Sequence, residues 1–312
     1  MEKQTVLAVV GATASGKSAL AMELASRLNG EIVCMDSMQI YRRMDVGTAK
    51  PTADERRAVP HHMLDVVEPT QSYTVATYAD EAKPILMDIL QRGKLPILTG
   101  GTGLYLRALT HGMTLGGAGC NEALRDRYRD IALESGGKER LHDMLARLDP
   151  ATAARLHPND LRRVIRALEI CELTGAPMSE QAREEPEQPF RVLPIGLAWQ
   201  REALYERIER RVDAMLQNGL LGEVEALLAS GVPAQAQSMQ GIGYKELTPV
   251  LKGEEPLEDA VWLVKRNTRR YAKRQGTFFR AEPTIEWLDA TDVALVENAL
   301  KAIENDRRER AK

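Results

Sequence analysis

The eight residues Gly11-Ala12-Thr13-Ala14-Ser15-Gly16-Lys17-Ser18 read G-x-x-x-x-G-K-S. That spacing is suited to holding phosphate. Glycines let the backbone curl so that successive N–H groups point inward. A helix starting at the lysine adds the positive end of its dipole, and Lys17 adds a point charge. The Ser18 hydroxyl is placed to help hold Mg²⁺. The pattern does not say which phosphate ester is bound. Asp36 ends a second apolar run and brings a carboxylate to the same sheet edge. Three roles are open to it: Mg²⁺ ligand, general base, or turn cap. Gly100-Gly101-Thr102-Gly103 follows another run. Its glycines either admit a ligand close to the backbone or serve a plain strand-to-helix turn, and Thr102 adds a hydroxyl that donates and accepts.

Basic side chains gather elsewhere. Asp160-Leu161-Arg162-Arg163-Val164-Ile165-Arg166 places three arginines along one helix, with Val164, Ile165 and Leu168 free to pack. Arg207 and Arg211 lie four apart and share a helix face. Lys265, Arg266, Arg269, Arg270, Lys273 and Arg274 form neighbouring stripes with no acid among them. Like charges at that spacing repel by a few tenths of a kcal/mol each, so the stripes call for an anionic partner such as a nucleic-acid backbone. His61-His62, after Pro60, has no metal spacing around it and reads as a hydrogen-bonding pair in a loop.

These residues need a scaffold. Val6–Val10, Ile32–Met35, Leu95–Thr99 and Val192–Trp199 are short apolar runs of buried-strand type. The first is followed by the phosphate loop and a helix over Ser18–Leu28, which Asn29-Gly30 closes. Strand, loop, helix, strand is a βαβ unit, and it implies a parallel sheet. Between Met113 and Pro189 strand signal is nearly absent. Glu122–Glu134, Lys138–Leu148 and Asp160–Thr174 read as amphipathic helices. Gly116-Gly117-Ala118-Gly119 reads as a flexible join and Glu184–Pro189 as a polar linker. The expected organisation is therefore an α/β core from 1–112 and 190–312, interrupted by an all-helical insertion at 113–189. After Trp199 the helices expected are Glu202–Gln217, Gly222–Ser230, Gly243–Leu251 and Leu257–Gln275, with a frayed charged tail over the last ten residues.

Composition bounds the rest. The chain has 312 residues, 44% of them hydrophobic and 28% charged, which excludes wholesale disorder. A net charge of −3 means that any nucleic-acid surface is local. Three scattered cysteines form no disulfide framework. No apolar run approaches the ~20 residues that cross a bilayer, and Met1–Thr5 lacks a signal-peptide layout. A cytoplasmic monomer with no membrane contact is expected. On residues alone, the features fit a Mg²⁺-dependent enzyme acting on a phosphate ester, a kinase included.

Gly11–Ser18 followed by Asp36-Ser37-Met38-Gln39-Ile40-Tyr41 resembles the opening of bacterial tRNA dimethylallyltransferases. The resemblance continues through Asp45–Pro51, Pro60-His61-His62, Gly100–Tyr105, Asn159–Arg163, Gly241-Ile242-Gly243-Tyr244-Lys245 and Arg269–Arg280, in family order over nearly the whole chain. Ala12 stands where many members have Pro, Ser18 where many have Thr and Phe278 where Trp is common; Leu115–Asn121 matches poorly. The resemblance implies a phosphate-loop NTPase-like core that holds dimethylallyl diphosphate rather than ATP. It implies transfer of the dimethylallyl group to N6 of the adenine just 3′ of the anticodon, position 37. Asp36 is then the proton acceptor, and Thr102 hydrogen-bonds the same amine. Lys17, Mg²⁺ near Ser18, and Arg211 or Arg207 stabilise the departing diphosphate. Ser37, Met38, Gln39, Asp160–Val164 and Gly241–Lys245 resemble tRNA-contacting positions, and Lys265, Arg269 and Lys273 would grip the anticodon stem-loop. Alternatives in other classes are a metabolite kinase, an AMP-directed prenyl transferase and a non-catalytic RNA-binding module.

Overall fold

The computed structural model describes residues 3–111, 119–180 and 187–310. In chain order, β1 (Gln4–Val10), α1 (Lys17–Arg27), β2 (Gly30–Cys34), α2 (Ala53–Ala58), β3 (His61–His62), α3 (Val75–Gln91), β4 (Leu95–Gly100) and α4 (Gly103–Thr110) come first. The helices α5 (Glu122–Leu133), α6 (Gly137–Leu148), α7 (Pro150–Ala153) and α8 (Leu161–Thr174) follow. The chain then runs through β5 (Phe190–Ala198), α9 (Arg201–Gln217), α10 (Leu220–Ala229), α11 (Tyr244–Leu251), α12 (Leu257–Arg280), β6 (Glu286–Asp289) and α13 (Leu295–Arg310). Among the described residues the strands form a sheet of order β3-β2-β4-β1-β5-β6, every pairing parallel.

Parallel strands are buried on both faces, which is why β1, β2 and β4 read as unbroken apolar runs. The order skips from β1 over β4 to β2, so the chain reverses direction across the sheet there. A ligand crevice is expected at the carboxyl ends of strands beside such a reversal. Leu20, Leu24 and Ala25 of α1 pack on Leu7, Val9 and Ile97 of the sheet. Ala299, Ala302 and Ile303 of α13 join the same cluster. The last ten residues are thus no frayed tail as far as Arg310: the buried Ile303 anchors them, and Asp306 pairs with Arg191.

Two further expectations are corrected. The His61-His62 pair is an edge strand rather than loop, paired with Ile32 and Val33. His62 Nε2 lies 2.8 Å from Glu31, whose carboxyl is held well below the usual range by Arg92 first and then by Lys94 and His62. α12 also runs on past Gln275 to Arg280.

The chain divides into two compact units, Met1–His111 with Glu187–Lys312, and Gly112–Pro186. The second has its own core of Leu124, Tyr128, Leu141, Leu145, Val164 and Leu168. Its buried Glu169 accepts from the Asn121 amide and from Arg125 and Arg166. The glycine-rich join at 116–118 and the linker at 184–186 lie outside the described residues.

Candidate active site

The phosphate loop joins β1 to α1, and its curl is held by partners from distant helices. Trp199 Nε1 donates to Ser15 O at 2.8 Å, and Arg207 Nε donates to Ala14 O at 2.9 Å. Two successive loop carbonyls are thereby held by side chains from beyond the sheet. Ala14 sits at φ +63° and Gly16 at +91°, left-handed conformations that complete the curl. Arg207 lies over the Trp199 ring at 4.5 Å. Ala12 and Ala14 pack on Ile208 and Ala272, fixing the loop to α9 and α12.

Ala14, Gly16, Lys17 and Ser18 line one side of a cavity of about 310 Å³, and Arg207, Arg210 and Arg211 line the other. The wall therefore carries four cationic side chains and no carboxylate. Helix α1 adds its first-turn amides, which have no partner within the helix. The cradle is narrower than the eight-residue motif. The Thr13 amide donates instead to Gln275 Oε1 at 2.8 Å, and the Ser15 amide to Ala12 O at 3.2 Å.

The two arginines left unresolved by sequence separate here. Arg207 spends its Nε on the loop backbone, so it braces. Arg211 is half-buried, and its burial lowers the pKa of its guanidinium, which Asp36 opposes. It remains cationic. Lys17 is pushed down to about 8, by burial first and Arg211 second, with Asp36 pulling it back up. Lys17, Arg211 and Asp36 thus share one electrostatic neighbourhood. Arg210 is the cavity residue that sequence reasoning missed. Its signal was its place between Arg207 and Arg211, off the i,i+4 face.

Asp36 lies just beyond β2. Its Oδ1 accepts from the Met38 amide at 2.8 Å, an Asx turn, and Oδ2 takes no hydrogen bond among the described residues. Thr102, just beyond β4, lies alongside. Its Oγ1 accepts from the Ser37 amide at 3.0 Å and its amide donates to Met35 O at 3.2 Å. Adjacent strands therefore deliver a carboxylate and a hydroxyl to one sheet edge. The glycines around Thr102 admit protein rather than ligand. A Cβ on Gly100 would stand 2.0 Å from Met35 O, one on Gly101 2.0 Å from Gln275 Nε2, and one on Gly103 2.2 Å from the Phe278 ring.

The segment Asp45–Lys50 is scaffolding for this edge. The amides of Asp45, Val46 and Gly47 all donate to the Glu223 carboxylate at 2.7–3.0 Å. Gln39 Nε2 donates to Thr48 O and Ala49 O, and the buried Lys50 ammonium reaches Tyr41 O, Asp45 and Asp65.

Several residues expected to touch RNA are committed inside the protein. Tyr244 is 1% exposed and donates to Glu223 at 2.6 Å, while its ring fills the space beside Gly47. Val164 is fully buried because the apolar face of α8 packs into the helical unit. Gly241 is half-buried, and a Cβ added there would stand 2.5 Å from the end of the Met38 side chain. Lys265 pairs with Asp213 at 2.6 Å and Arg269 with Glu209, so the missing acids are supplied by α9. Arg270 and Lys273 are exposed, and Arg266 lies over the exposed Trp262 ring at 4.8 Å. Arg162 and Arg163 are exposed on α8, and Lys245 is exposed on α11.

A glycine-rich loop at a helix start, a cationic wall and a carboxylate at the neighbouring strand tip are a set of groups suited to group transfer from a phosphorylated substrate. The IPP transferase family model matches residues 39–282, and the chain belongs to that family. It is 50% identical over 294 residues to a tRNA dimethylallyltransferase of Pelotomaculum thermopropionicum, covering 94% of this chain and 93% of that one. The crystal structure of full-length tRNA isopentenylpyrophosphate transferase from Bacillus halodurans matches with TM-score 0.73 and 42% identity over the whole of both chains. A eukaryotic dimethylallyltransferase acting on tRNA matches with TM-score 0.81 and 33% identity, over 98% of this chain and 80% of that one.

Proposed function

We propose that the protein transfers the dimethylallyl group of dimethylallyl diphosphate to N6 of adenine 37 in tRNA, releasing diphosphate. The observation that carries this reading is the pairing of an acid-free cationic cavity with a carboxylate and a hydroxyl at the adjoining strand tips. An exocyclic adenine amine is a poor nucleophile, because its lone pair is shared with the ring. It needs positioning and a proton acceptor. Its nitrogen bonds to the allylic carbon as the carbon–oxygen bond to diphosphate breaks. Asp36 takes the amine proton, and Thr102 orients the amine. Lys17, Arg211, Arg210 and the amides at the start of α1 receive the charge that develops on the leaving diphosphate. The adenine must leave its stack to reach this edge.

Mg²⁺ fits the donor set. Among the described residues no group of three His, Cys, Asp or Glu could hold a metal alone. A Mg²⁺ that draws most of its oxygens from phosphate and water needs only one or two from protein. The exposed Ser18 hydroxyl on the cavity wall offers one. When bound, the ion would neutralise charge on the leaving group.

The test uses labelled dimethylallyl diphosphate, an anticodon stem-loop with adenine at the target position, free AMP and ATP. Label in the stem-loop is expected. Label in AMP alone, or ATP turnover without label in RNA, would reject the reading.

Arg162 and Arg163 on α8, with Lys245, Arg270 and Lys273, are exposed cations, and Arg266 is half-buried beside Trp262; these are available to meet phosphate without reading sequence. Replacing Arg266, Arg270 and Lys273 by Gln is expected to reduce the salt slope of stem-loop binding by about two, at ~0.7–0.9 per phosphate contact. Replacing Lys265 and Arg269 should change it by less than one, because their charges already face Asp213 and Glu209. Filter binding between 50 and 300 mM KCl compares the two. A larger drop for the second pair would show that RNA displaces the α9 acids.

A further inference from the structure

Gln275 is an uncharged polar side chain in the interior face of a basic helix. It is 6% exposed, between Ala272 and Phe279 on the buried side of α12. Its amide makes two contacts, one in each direction. Oε1 accepts from the Thr13 amide in the phosphate loop at 2.8 Å. Nε2 donates to Gly101 O, in the loop that carries Thr102, at 2.8 Å. One planar group thus spans the two loops. Gly101 has no side chain where the amide passes: an added Cβ would stand 2.0 Å from Nε2. One turn earlier, the Tyr271 hydroxyl interacts with both Thr102 and Gln275, and burial first and Asp36 second raise its pKa.

The sheet does not by itself fix how far apart these loops stand. β1 and β4 pair as far as Val10 and Gly100, and both loops leave the sheet immediately afterwards. The phosphate loop sets where the leaving group sits. Thr102, with Asp36 beside it, sets where the entering nitrogen sits. Transfer needs the two reacting atoms about 3–3.5 Å apart and in line, and an error of 1 Å costs about a hundredfold.

We propose that Gln275 is a positioning residue that fixes the distance between the diphosphate cradle and the acceptor edge, and thereby decides whether the allylic carbon goes to the RNA nitrogen or to water. The inference rests on the prenyl-transfer reading above. With the clamp open, water competes. A water oxygen bonds to the allylic carbon as the carbon–oxygen bond to diphosphate breaks, giving dimethylallyl alcohol, diphosphate and a proton. With the clamp closed, the amine stands in that place. The Thr13 amide is consumed by the clamp, so loss of Gln275 does not remove a phosphate ligand. Diphosphate binding and transfer should therefore separate.

The experiment compares the wild type with Gln275→Met, of similar length without an amide, and Gln275→Glu, which keeps the acceptor for Thr13 and loses the donor to Gly101. Each is assayed with labelled dimethylallyl diphosphate and an anticodon stem-loop, resolving prenylated RNA from dimethylallyl alcohol. Inorganic diphosphate affinity is measured by calorimetry and folding by thermal melts. Gln275→Met is expected to lose about 30- to 100-fold in kcat, keep diphosphate affinity within about threefold, and raise the alcohol-to-RNA product ratio at least tenfold. Gln275→Glu should fall between it and the wild type. An unchanged product ratio, with kcat falling only as the folded fraction falls, would overturn the proposal, as would kcat within twofold of wild type. If Gln275→Met does not fold, Gln275→Glu decides by the same ratio. Absence of label in RNA with the wild type would reject prenyl transfer itself, an outcome distinct from either.

Discussion

Asp36→Asn should lower kcat for transfer by about 10²- to 10⁴-fold while leaving stem-loop affinity within about threefold. The two sizes separate the roles open to this carboxylate. Asn keeps an oxygen that can accept from the Met38 amide, so the turn beyond β2 survives. What is lost is the charge and the ability to take a proton. Asp36 is also the group that pulls the Lys17 pKa up and opposes the burial of Arg211. Removing a negative charge from that neighbourhood favours an anionic substrate, so KM for the prenyl diphosphate should hold or fall as kcat collapses. Asp36→Ala removes both charge and turn acceptor. If Ala and Asn lose kcat alike, the carboxylate acts as base. If Asn is nearly as active as wild type and only Ala fails, the residue merely shapes the turn and the base assignment is wrong. Steady-state kinetics at saturating RNA, with both variants side by side, makes the distinction.

What could be read from residues alone follows the physics of each signal. β1, β2 and β4 are buried on both faces, so their apolar runs stood out. The phosphate motif was legible because backbone conformation, helix start and lysine are all written locally. β6 was not. It is a four-residue edge strand, Glu-Trp-Leu-Asp, mostly exposed, and it exists because β5 offers it a partner. α13 was invisible for a related reason. Its small buried stripe of Ala299, Ala302 and Ile303 is framed by charge, and it becomes a helix face only against α1 and β6.

The site divides the same way. Glycines at 100, 101 and 103 carried a true signal of close approach, but sequence cannot say what approaches. The visitors are Met35, Gln275 and Phe278. Charge patterning along α12 was equally one-sided. Lys265 and Arg269 looked unpaired because their acids, Asp213 and Glu209, lie on another helix. Glu223, which gathers three backbone amides, gave no local sign at all, since the amides belong to a segment far away in the chain.

Lys17→Met should abolish useful turnover, lowering kcat/KM by about a thousandfold, and at the same time stabilise the substrate-free protein at neutral pH. The reason is the burial of Lys17, which drops its pKa from the ordinary 10.5 to about 8. At pH 7 the folded protein holds a desolvated ammonium beside the Arg211 guanidinium. That strain corresponds to roughly 3 kcal/mol, at 1.36 kcal/mol for each pKa unit. The sign follows from proton counting. Between about pH 8 and 10.5 the unfolded chain keeps the Lys17 proton and the folded chain does not, so this residue's penalty shrinks as pH rises. The variant's advantage in melting temperature should therefore be a few degrees at pH 7 and should narrow at pH 9 and above. A methionine that lowers stability at pH 7, or an advantage that does not change with pH, would contradict a charged buried lysine. The same displacement predicts how substrate binds. A diphosphate beside Lys17 favours the ammonium and raises its pKa again, so binding near pH 8 must take up protons. Calorimetry in two buffers of different ionisation enthalpy measures that uptake, and it should vanish in Lys17→Met. Affinity for the prenyl diphosphate should also weaken as pH passes above about 8, where the substrate's terminal phosphate, whose last ionisation lies at about 6, is already fully charged. The lysine is thus held in a state that costs folding stability until the leaving group arrives, and that cost is returned as affinity for the charge that develops when the carbon–oxygen bond breaks.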